Sequence, residues 1–523
     1  MKRTVVLAIL DGWGIGNPDE TNPIHAAHPA AAEEIERSYP AGALQASGNA
    51  VGLPWEEEGN SEVGHLVIGA GRVLFQHFPR ISESIEDGSF MKTKAFLDAF
   101  AHVRDTGGAV HLVGLLSEGN VHAARAHLAA LIELAAAEKC AALYLDLFLD
   151  GRDSPPQSAL KLLEPIRTTI QKSGVGEIAT LMGRYFGMDR DRHWERTERA
   201  YRALMGDAPA APTAEACIQA SYDRGLTDEY VEPAVIGAPH PIQDGDAVIF
   251  FNFREDRMRE LSEAFINPGF SEFGTKRFER LFIATMTEYE AKLPAAVAFE
   301  TERAEYPLAR VLAEHGKTQL HIAETEKYAH ITYFFNGLTE APFKNEFRVL
   351  VPSQRLARHD EHPEMMAHEV TERVLAALSE GVYDCIVVNY ANADIIAHTG
   401  NYDAVIQAVR TVDTELGRLA EKVLQDGHVL LVSADHGNAE CVIDTQGRIE
   451  TKHNASPVPC YLVGREYRRA TPRTEDTARL PVIGMLSDIA PTVLDLLGVE
   501  KPASMTGESL LNQLELQTRA GVQ

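Results

Sequence analysis

Cysteine, long apolar runs and positive charge are all scarce in this chain, and each scarcity closes off a class of protein. The five cysteines among 523 residues, Cys140, Cys217, Cys385, Cys441 and Cys460, are scattered, odd in number and never in a C-x-x-C pair. They read as reduced cytosolic thiols. No apolar stretch approaches the roughly 20 residues that a membrane span requires. Met1-Lys2-Arg3 before an apolar run imitates a secretory signal, but the run is short and Asp11 ends it without a small-residue cleavage site. A soluble cytoplasmic protein is expected. Lysine and arginine number 49 against 76 acidic residues, a formal net charge of -27, which argues against a nucleic-acid or anionic-membrane partner. With so few positive charges to spread around, an anionic substrate would need arginines or metal ions concentrated locally. Low-complexity tracts and internal repeats are also lacking, and 45% hydrophobic with 24% charged residues is an ordinary globular composition.

The length points to two domains with ample material for a core. Short β-branched runs alternate with helical segments: AVHLVGLL precedes the Ala/Leu-rich stretch His122–Lys139, followed by ALYLDLFLDGRD and EIATLMGRYFG. This alternation predicts α/β architecture with mainly parallel sheets. Three further runs, Val5–Leu10, Cys385–Val388 and Val429–Val432, each lead into a loop carrying an aspartate, namely Asp11, Asp394 and Asp435. Ligands of open α/β sheets sit where such strands end. Asp394 lies four residues before His398, a spacing that puts both on one helical face, and Asp435 directly precedes His436. Carboxylate and imidazole on converging loops suggest a divalent-metal site, to which His453 in TKHNASPVP adds a further candidate ligand.

These metal-type residues fall before about residue 75 and after about residue 310, boundaries of this kind being good to a few residues. One domain, residues 1–75 and 301–523, is therefore expected to be discontinuous, with residues 76–300 inserted as a second α/β domain. Between them lies Gly59-Asn60-Ser61-Glu62-Val63-Gly64-His65, where Asn60 or Ser61 can cap a helix and set the Ser61 hydroxyl among free N–H groups. Alone, such a serine is a cap. Beside a two-metal site it becomes a candidate nucleophile, because a metal lowers a hydroxyl pKa without a general base.

The inserted block supplies the complementary charge: Arg152 and Asp153 in LDGRDSPP, Arg184 in MGRYFG, Arg190 in MDRDRHWER, and Arg254 with Arg257 in FFNFREDR. Arg254 and Arg257 share a face if a helix starts there. Guanidinium forks bind phosphate and carboxylate bidentately, so the set suits a small substrate carrying both groups. Arg192, Arg196 and Arg199 read as members of an ordinary charged helix.

Taken together, LAILDGWG, GNSEVGHLVIGAGR, HLVGLLSEGNVH, LDGRD, GRYFGMDRD, FFNFREDR, HIAETEKYAH, VNYANADIIAHTG, SADHGN and SDIAPTVLDLLG resemble, in order and over nearly the whole chain, the cofactor-independent (2,3-bisphosphoglycerate-independent) phosphoglycerate mutases of the alkaline phosphatase superfamily. The resemblance implies an alkaline-phosphatase-like, doubly wound domain holding two divalent ions, typically manganese, and an inserted phosphotransferase domain that grips glycerate. Asp394, His398 and His453 match the ligands of one ion, and Asp11, Ser61, Asp435 and His436 those of the other. Ser61 matches the nucleophile. His122, Arg152, Asp153, Arg184, Arg190, Arg254, Arg257 and Lys327 match substrate-contacting positions, with Asp153 as base and Lys327 neutralising charge in the transition state. The implied activity is that of an isomerase interconverting 3- and 2-phosphoglycerate in glycolysis and gluconeogenesis through a phosphoserine, as a monomer acting on a small molecule. A metal-dependent phosphomonoesterase or phosphopentomutase would share the metal residues but should lack the arginine set, and a non-catalytic metal-binding scaffold would need no nucleophile. Val67, Asn120, Ala393, Ala397 and Asn454 depart from the pattern without altering a ligand or an arginine.

Overall fold

The computed structural model describes residues 2–55, 57–290, 293–354, 358–444, 446–473 and 480–519. The chain forms two compact units, one of Met1–Phe75 with Glu302–Gln523 and one of Gln76–Thr301. Each is built on its own eight-stranded, mainly parallel sheet, as the alternation of strands and helices predicts.

In the first unit the strands lie in the order Glu346–Val351, Gln319–Glu324, Cys385–Tyr390, Val5–Leu10, Val429–Ser433, Val458–Val463, Ala41–Gln45, Val482–Met485. The first five run parallel, and Val458–Val463 is antiparallel to both of its neighbours. Val5–Leu10, Cys385–Tyr390 and Val429–Ser433 are buried along their whole length. That explains the uninterrupted apolar runs Val5–Leu10, Cys385–Val388 and Val429–Val432: both faces of a central parallel strand are covered by helices, so no alternation is needed. Register pairs Leu10 with Tyr390 and Ile9 with Ser433. The three aspartate-bearing loops therefore leave the sheet side by side. The helix Ala30–Ser38 begins without a side-chain cap of its own. Asp413, from the long helix Tyr402–Asp426, supplies one, accepting the backbone N–H groups of Ala31 and Ala32 at 3.0 and 2.8 Å.

In the second unit the order is Ala296–Phe299, Phe282–Thr287, Ala247–Phe250, Val110–Leu116, Leu143–Leu149, Glu177–Gly183, Ala234–Ile236, Ala210–Ala211. Only the contact of Glu177–Gly183 with Ala234–Ile236 is antiparallel. Each unit has its own large hydrophobic core. No described helix is long and apolar enough to cross a membrane.

Two expectations about helices are corrected. The Ala/Leu-rich helix spans Arg125–Ala137 and does not begin at His122. The His122 carbonyl instead accepts the N–H groups of Phe253 and Arg254, so the segment before Arg125 is held by a neighbouring loop. Arg254 and Arg257 do not share a helix either, because the helix there starts at Arg259. Asp256 between them is drawn into an ion pair with Arg190, and Arg257 Nη1 donates to the Met188 carbonyl, tertiary contacts that replace the local turn. Of the positions that depart from the family pattern, Asn120 has φ of 53°, a left-handed conformation that asparagine tolerates almost as glycine does.

Candidate active site

Ser61 opens the helix Ser61–Ala70, capped by the Asn60 side chain, which accepts the Val63 N–H at 3.0 Å. Its hydroxyl, in a residue only 7% exposed, sits at the meeting point of three strand ends. Ser61 Oγ lies 3.1 Å from Asp11 Oδ1 and 2.9 Å from His436 Nε2, and it accepts a bond from Lys327 Nζ at 2.7 Å. One hydroxyl hydrogen thus faces two acceptors and a cation. Two glycines make the convergence possible. Gly12, at φ +72°, would bring a Cβ within 2.8 Å of the Asp394 backbone, and one on Gly64 would come within 2.5 Å of the Asp435 carbonyl oxygen.

Lys327 lies in the short helix Thr325–Ala329 that follows the strand Gln319–Glu324, and a π-helical turn, His330–Phe334, comes next. Its ammonium bonds Asp11 Oδ1 at 2.5 Å and Asp394 Oδ2 at 2.7 Å. Burial works against its charge, but Asp11 and Asp394 outweigh burial and hold the ammonium protonated. Burial and the neighbouring Asp435 push the Asp11 carboxyl up, whereas the Lys327 charge holds Asp394 well below the usual range against the cost of burial.

The histidines are fixed by backbone carbonyls. His398 Nδ1 donates to Thr451 O at 2.8 Å, His453 Nδ1 to Gly59 O at 2.9 Å and His436 Nδ1 to Gly437 O at 3.2 Å. A carbonyl can only accept, so each ring carries its hydrogen on Nδ1 and presents the Nε2 lone pair to the site. Two groups able to hold a metal ion result: Asp394, His398 and His453, and Asp11, Asp435 and His436, with donor atoms within 4.8 Å of one another in each. Three observations fit a cation at these groups. The Nε2 atoms of His398 and His453 face each other at 3.1 Å, lone pair against lone pair, each 3.3 Å from Asp394 Oδ1. Asp435 Oδ2 is buried without a hydrogen-bond partner. Of the three buried carboxylates, Lys327 forms ion pairs with Asp11 and Asp394 and none with Asp435.

Sequence reasoning missed the residues behind these ligands. Asn389 Nδ2 donates to Asp11 Oδ2 at 2.7 Å and reaches His65 Nε2 at 3.0 Å. His65 Nδ1 lies 2.8 Å from the Ser61 carbonyl and 3.2 Å from Asp435 Oδ2. Asn438 Nδ2 donates to Asp394 Oδ1 at 2.7 Å. Their only sequence signal was proximity to a motif: His65 is one helical turn after Ser61, and Asn438 ends SADHGN.

In the second unit the basic residues gather at the ends of four adjacent strands. Arg184, 4% exposed, bonds Asp150 Oδ1 and Asp153 Oδ2 through Nη1, both at 2.5 Å. Arg190, Arg254 and His122 surround Asp256, at 2.6, 3.2 and 3.6 Å. Burial and the Arg184 charge push the His122 imidazole down to about 4, so the ring is neutral near pH 7. Arg152, Arg184 and Arg257 line a pocket of about 260 Å³ together with Tyr185 and Tyr230. Asp189, Asp191 and His193 form a third cluster of metal-type donors, but there the Asp189 carboxylate is taken up by the backbone of Asp191 and His193 and by Arg196. Arg196 itself belongs to the charged helix Trp194–Leu204.

Residues 81–291 match the family described as BPG-independent PGAM N-terminus. The 2,3-bisphosphoglycerate-independent phosphoglycerate mutase of Ectopseudomonas mendocina is 45% identical over 512 residues, covering 97% of this chain and 98% of that protein. That of Moorella thermoacetica is 46% identical over 518 residues, covering 98% and 99%. A crystal structure of Leishmania mexicana phosphoglycerate mutase at low cobalt concentration superposes with a TM-score of 0.60 at 30% identity, covering 97% of both chains. Identity at this level over essentially the whole length means that the chain belongs to the 2,3-bisphosphoglycerate-independent phosphoglycerate mutase family.

Proposed function

We propose that this protein is an isomerase that interconverts 3-phosphoglycerate and 2-phosphoglycerate through a phosphoserine on Ser61, without 2,3-bisphosphoglycerate. The observation that carries this reading is the Ser61 hydroxyl, held between Asp11, His436 and Lys327 and flanked by two sets of metal-type ligands. Two divalent cations, manganese by the family's habit, would be held by Asp394, His398 and His453 and by Asp11, Asp435, His436 and Ser61, and when bound would lower the serine pKa and neutralise phosphoryl charge.

The chain's own residues account for the remaining chemistry. Ser61 Oγ attacks phosphorus in line as the P–O3 bond breaks and O3 leaves as a hydroxyl of glycerate, while Lys327, already bonded to Oγ, would neutralise charge on the equatorial oxygens. Glycerate is retained by Arg152, Arg184, Arg190, Arg254 and Arg257 with His122, whose neutral ring can donate or accept a hydrogen bond. Asp153, carried on the loop beside Arg184, takes the proton from the 2-hydroxyl as that oxygen attacks the phosphoserine. The arginine set favours a mutase over a phosphomonoesterase, which has no need to retain the dephosphorylated alcohol. Every group used comes from one chain, so a monomer suffices.

Conversion of 3-phosphoglycerate without added 2,3-bisphosphoglycerate, after chelation and again with manganese restored, tests the reading. Activity that vanishes and returns is expected. Release of inorganic phosphate in place of isomerisation, or no reaction with any divalent ion, would overturn it.

A further inference from the structure

Asp150 stands outside the expected site, yet three of the residues assigned to glycerate depend on it. It follows the strand Leu143–Leu149, is 1% exposed, and uses both carboxylate oxygens. Oδ1 accepts the backbone N–H groups of Arg152 at 3.2 Å and Asp153 at 3.1 Å and the Arg184 guanidinium at 2.5 Å. Oδ2 accepts the Ser117 hydroxyl at 2.6 Å. Ser117 follows the adjacent strand Val110–Leu116, which leads to His122. Its Oγ accepts the Gly119 N–H at 3.0 Å and lies 3.1 Å from Ser154 Oγ, which in turn accepts the Glu118 N–H. The loops are in close contact, for a Cβ on Gly119 would lie 2.3 Å from the Asp153 carbonyl oxygen. One buried carboxylate thus ties together the ends of three adjacent strands and orients a base and two cations at once.

We propose that Asp150 is a positioning residue that sets how firmly glycerate is retained during the phosphoserine stage, and hence whether the phosphoryl group goes back to glycerate or to water. The inference rests on the phosphoserine reading above. In productive transfer the P–O2 bond forms, the P–Oγ bond of Ser61 breaks and the O2 proton passes to Asp153. In the competing step a water oxygen bonds to phosphorus, the same P–Oγ bond breaks, the water proton leaves to solvent, and inorganic phosphate and free glycerate are released. Asp150 touches neither nucleophile. It fixes Arg184, Arg152 and Asp153, and a loosened Arg184 would let glycerate escape before its second hydroxyl attacks.

The test is Asp150→Asn in the full chain with manganese, measuring isomerisation and inorganic phosphate released per turnover. The expected result is a KM for 3-phosphoglycerate and a ratio of phosphate release to isomerisation each raised at least about tenfold, the scale of one lost charged hydrogen bond, with the manganese Kd within about twofold of wild type. A folded variant whose ratio is unchanged, whether or not its rate falls, would overturn the proposal, since a purely structural defect lowers both outcomes together. Should Asp150→Asn not fold, Ser117→Ala decides: it removes the Oδ2 bond together with the Gly119 and Ser154 contacts of the Ser117 hydroxyl, leaves the Oδ1 bonds to Arg152, Asp153 and Arg184 in place, and should move the ratio in the same direction by less. Wild-type enzyme that fails to isomerise 3-phosphoglycerate at all would refute the phosphoserine reading instead.

Discussion

The two pockets are built on the same plan and differ in how charge is balanced. Both place their residues at the C-terminal ends of neighbouring parallel strands. In the first unit Asp11, Asp394 and Asp435 are fully buried, acids outnumber the one ammonium, and every metal-type imidazole is anchored by a backbone carbonyl. In the second unit cations dominate, and three of them work beside aspartates: Arg184 with Asp150 and Asp153, Arg190 and Arg254 with Asp256. Arg152 is half exposed. A rigid, electron-rich pocket selects cations. A basic pocket whose charges are partly masked by acids can take up an anion and release it again, even in a protein with a net charge of -27.

Breaking one side at a time tests that contrast. Ser61→Ala should lower isomerisation by roughly 10,000-fold or more while leaving manganese stoichiometry, measured by calorimetry, close to wild type. Persistent mutase activity would remove Ser61 as nucleophile. Lys327→Met should come next, with activity down by about 100- to 1,000-fold and the metal-free protein destabilised by about 3 to 5 kcal/mol, since the buried carboxylates lose their only ammonium. Urea unfolding in the presence of a chelator measures the second effect, and an unchanged midpoint would contradict the charge balance drawn here.

Glu324, two percent exposed at the end of the strand leading to Lys327, has its carboxyl raised to about 7, chiefly by burial. The folded state therefore holds this proton more tightly than the unfolded state. Stability from this group is complete below the ordinary glutamate value of 4.5 and falls away as pH rises through about 7. Glu324→Gln should stabilise the protein at pH 8 by on the order of 1 to 3 kcal/mol and by much less at pH 5, as read from unfolding midpoints. Equal effects at both pH values would contradict the shift. On the other side, Arg257→Ala should raise the KM for 3-phosphoglycerate by about tenfold with manganese affinity unchanged. An unaltered KM would take Arg257 out of the substrate pocket.

Much of the scaffold was legible because burial on both faces writes itself into sequence: Val5–Leu10 and Cys385–Val388 are continuous apolar runs, and an aspartate in the loop after such a run marks a strand end. The Asp394 and His398 spacing was legible for the same local reason, with both residues at the helix Asn392–Ala397 and its C-cap. Asn389, His65 and Asp150 were not legible. Each acts through hydrogen bonds to partners distant in sequence, as when Asn389 meets Asp11 across 378 positions, and no local period encodes such a meeting. The FREDR segment shows the converse. Its spacing suited a helix, but Arg190 and the Met188 carbonyl claimed its side chains first.

The Lys327 ammonium has one further consequence. Because it joins Asp11, Asp394 and Ser61 by direct bonds, it acts as an internal placeholder that keeps mutually repelling groups in register when no ion is bound. Stripping the ions should therefore switch the enzyme off without erasing the shape of the pocket. A chelated sample would be a dormant store of folded protein, reactivated by adding back metal with no refolding step.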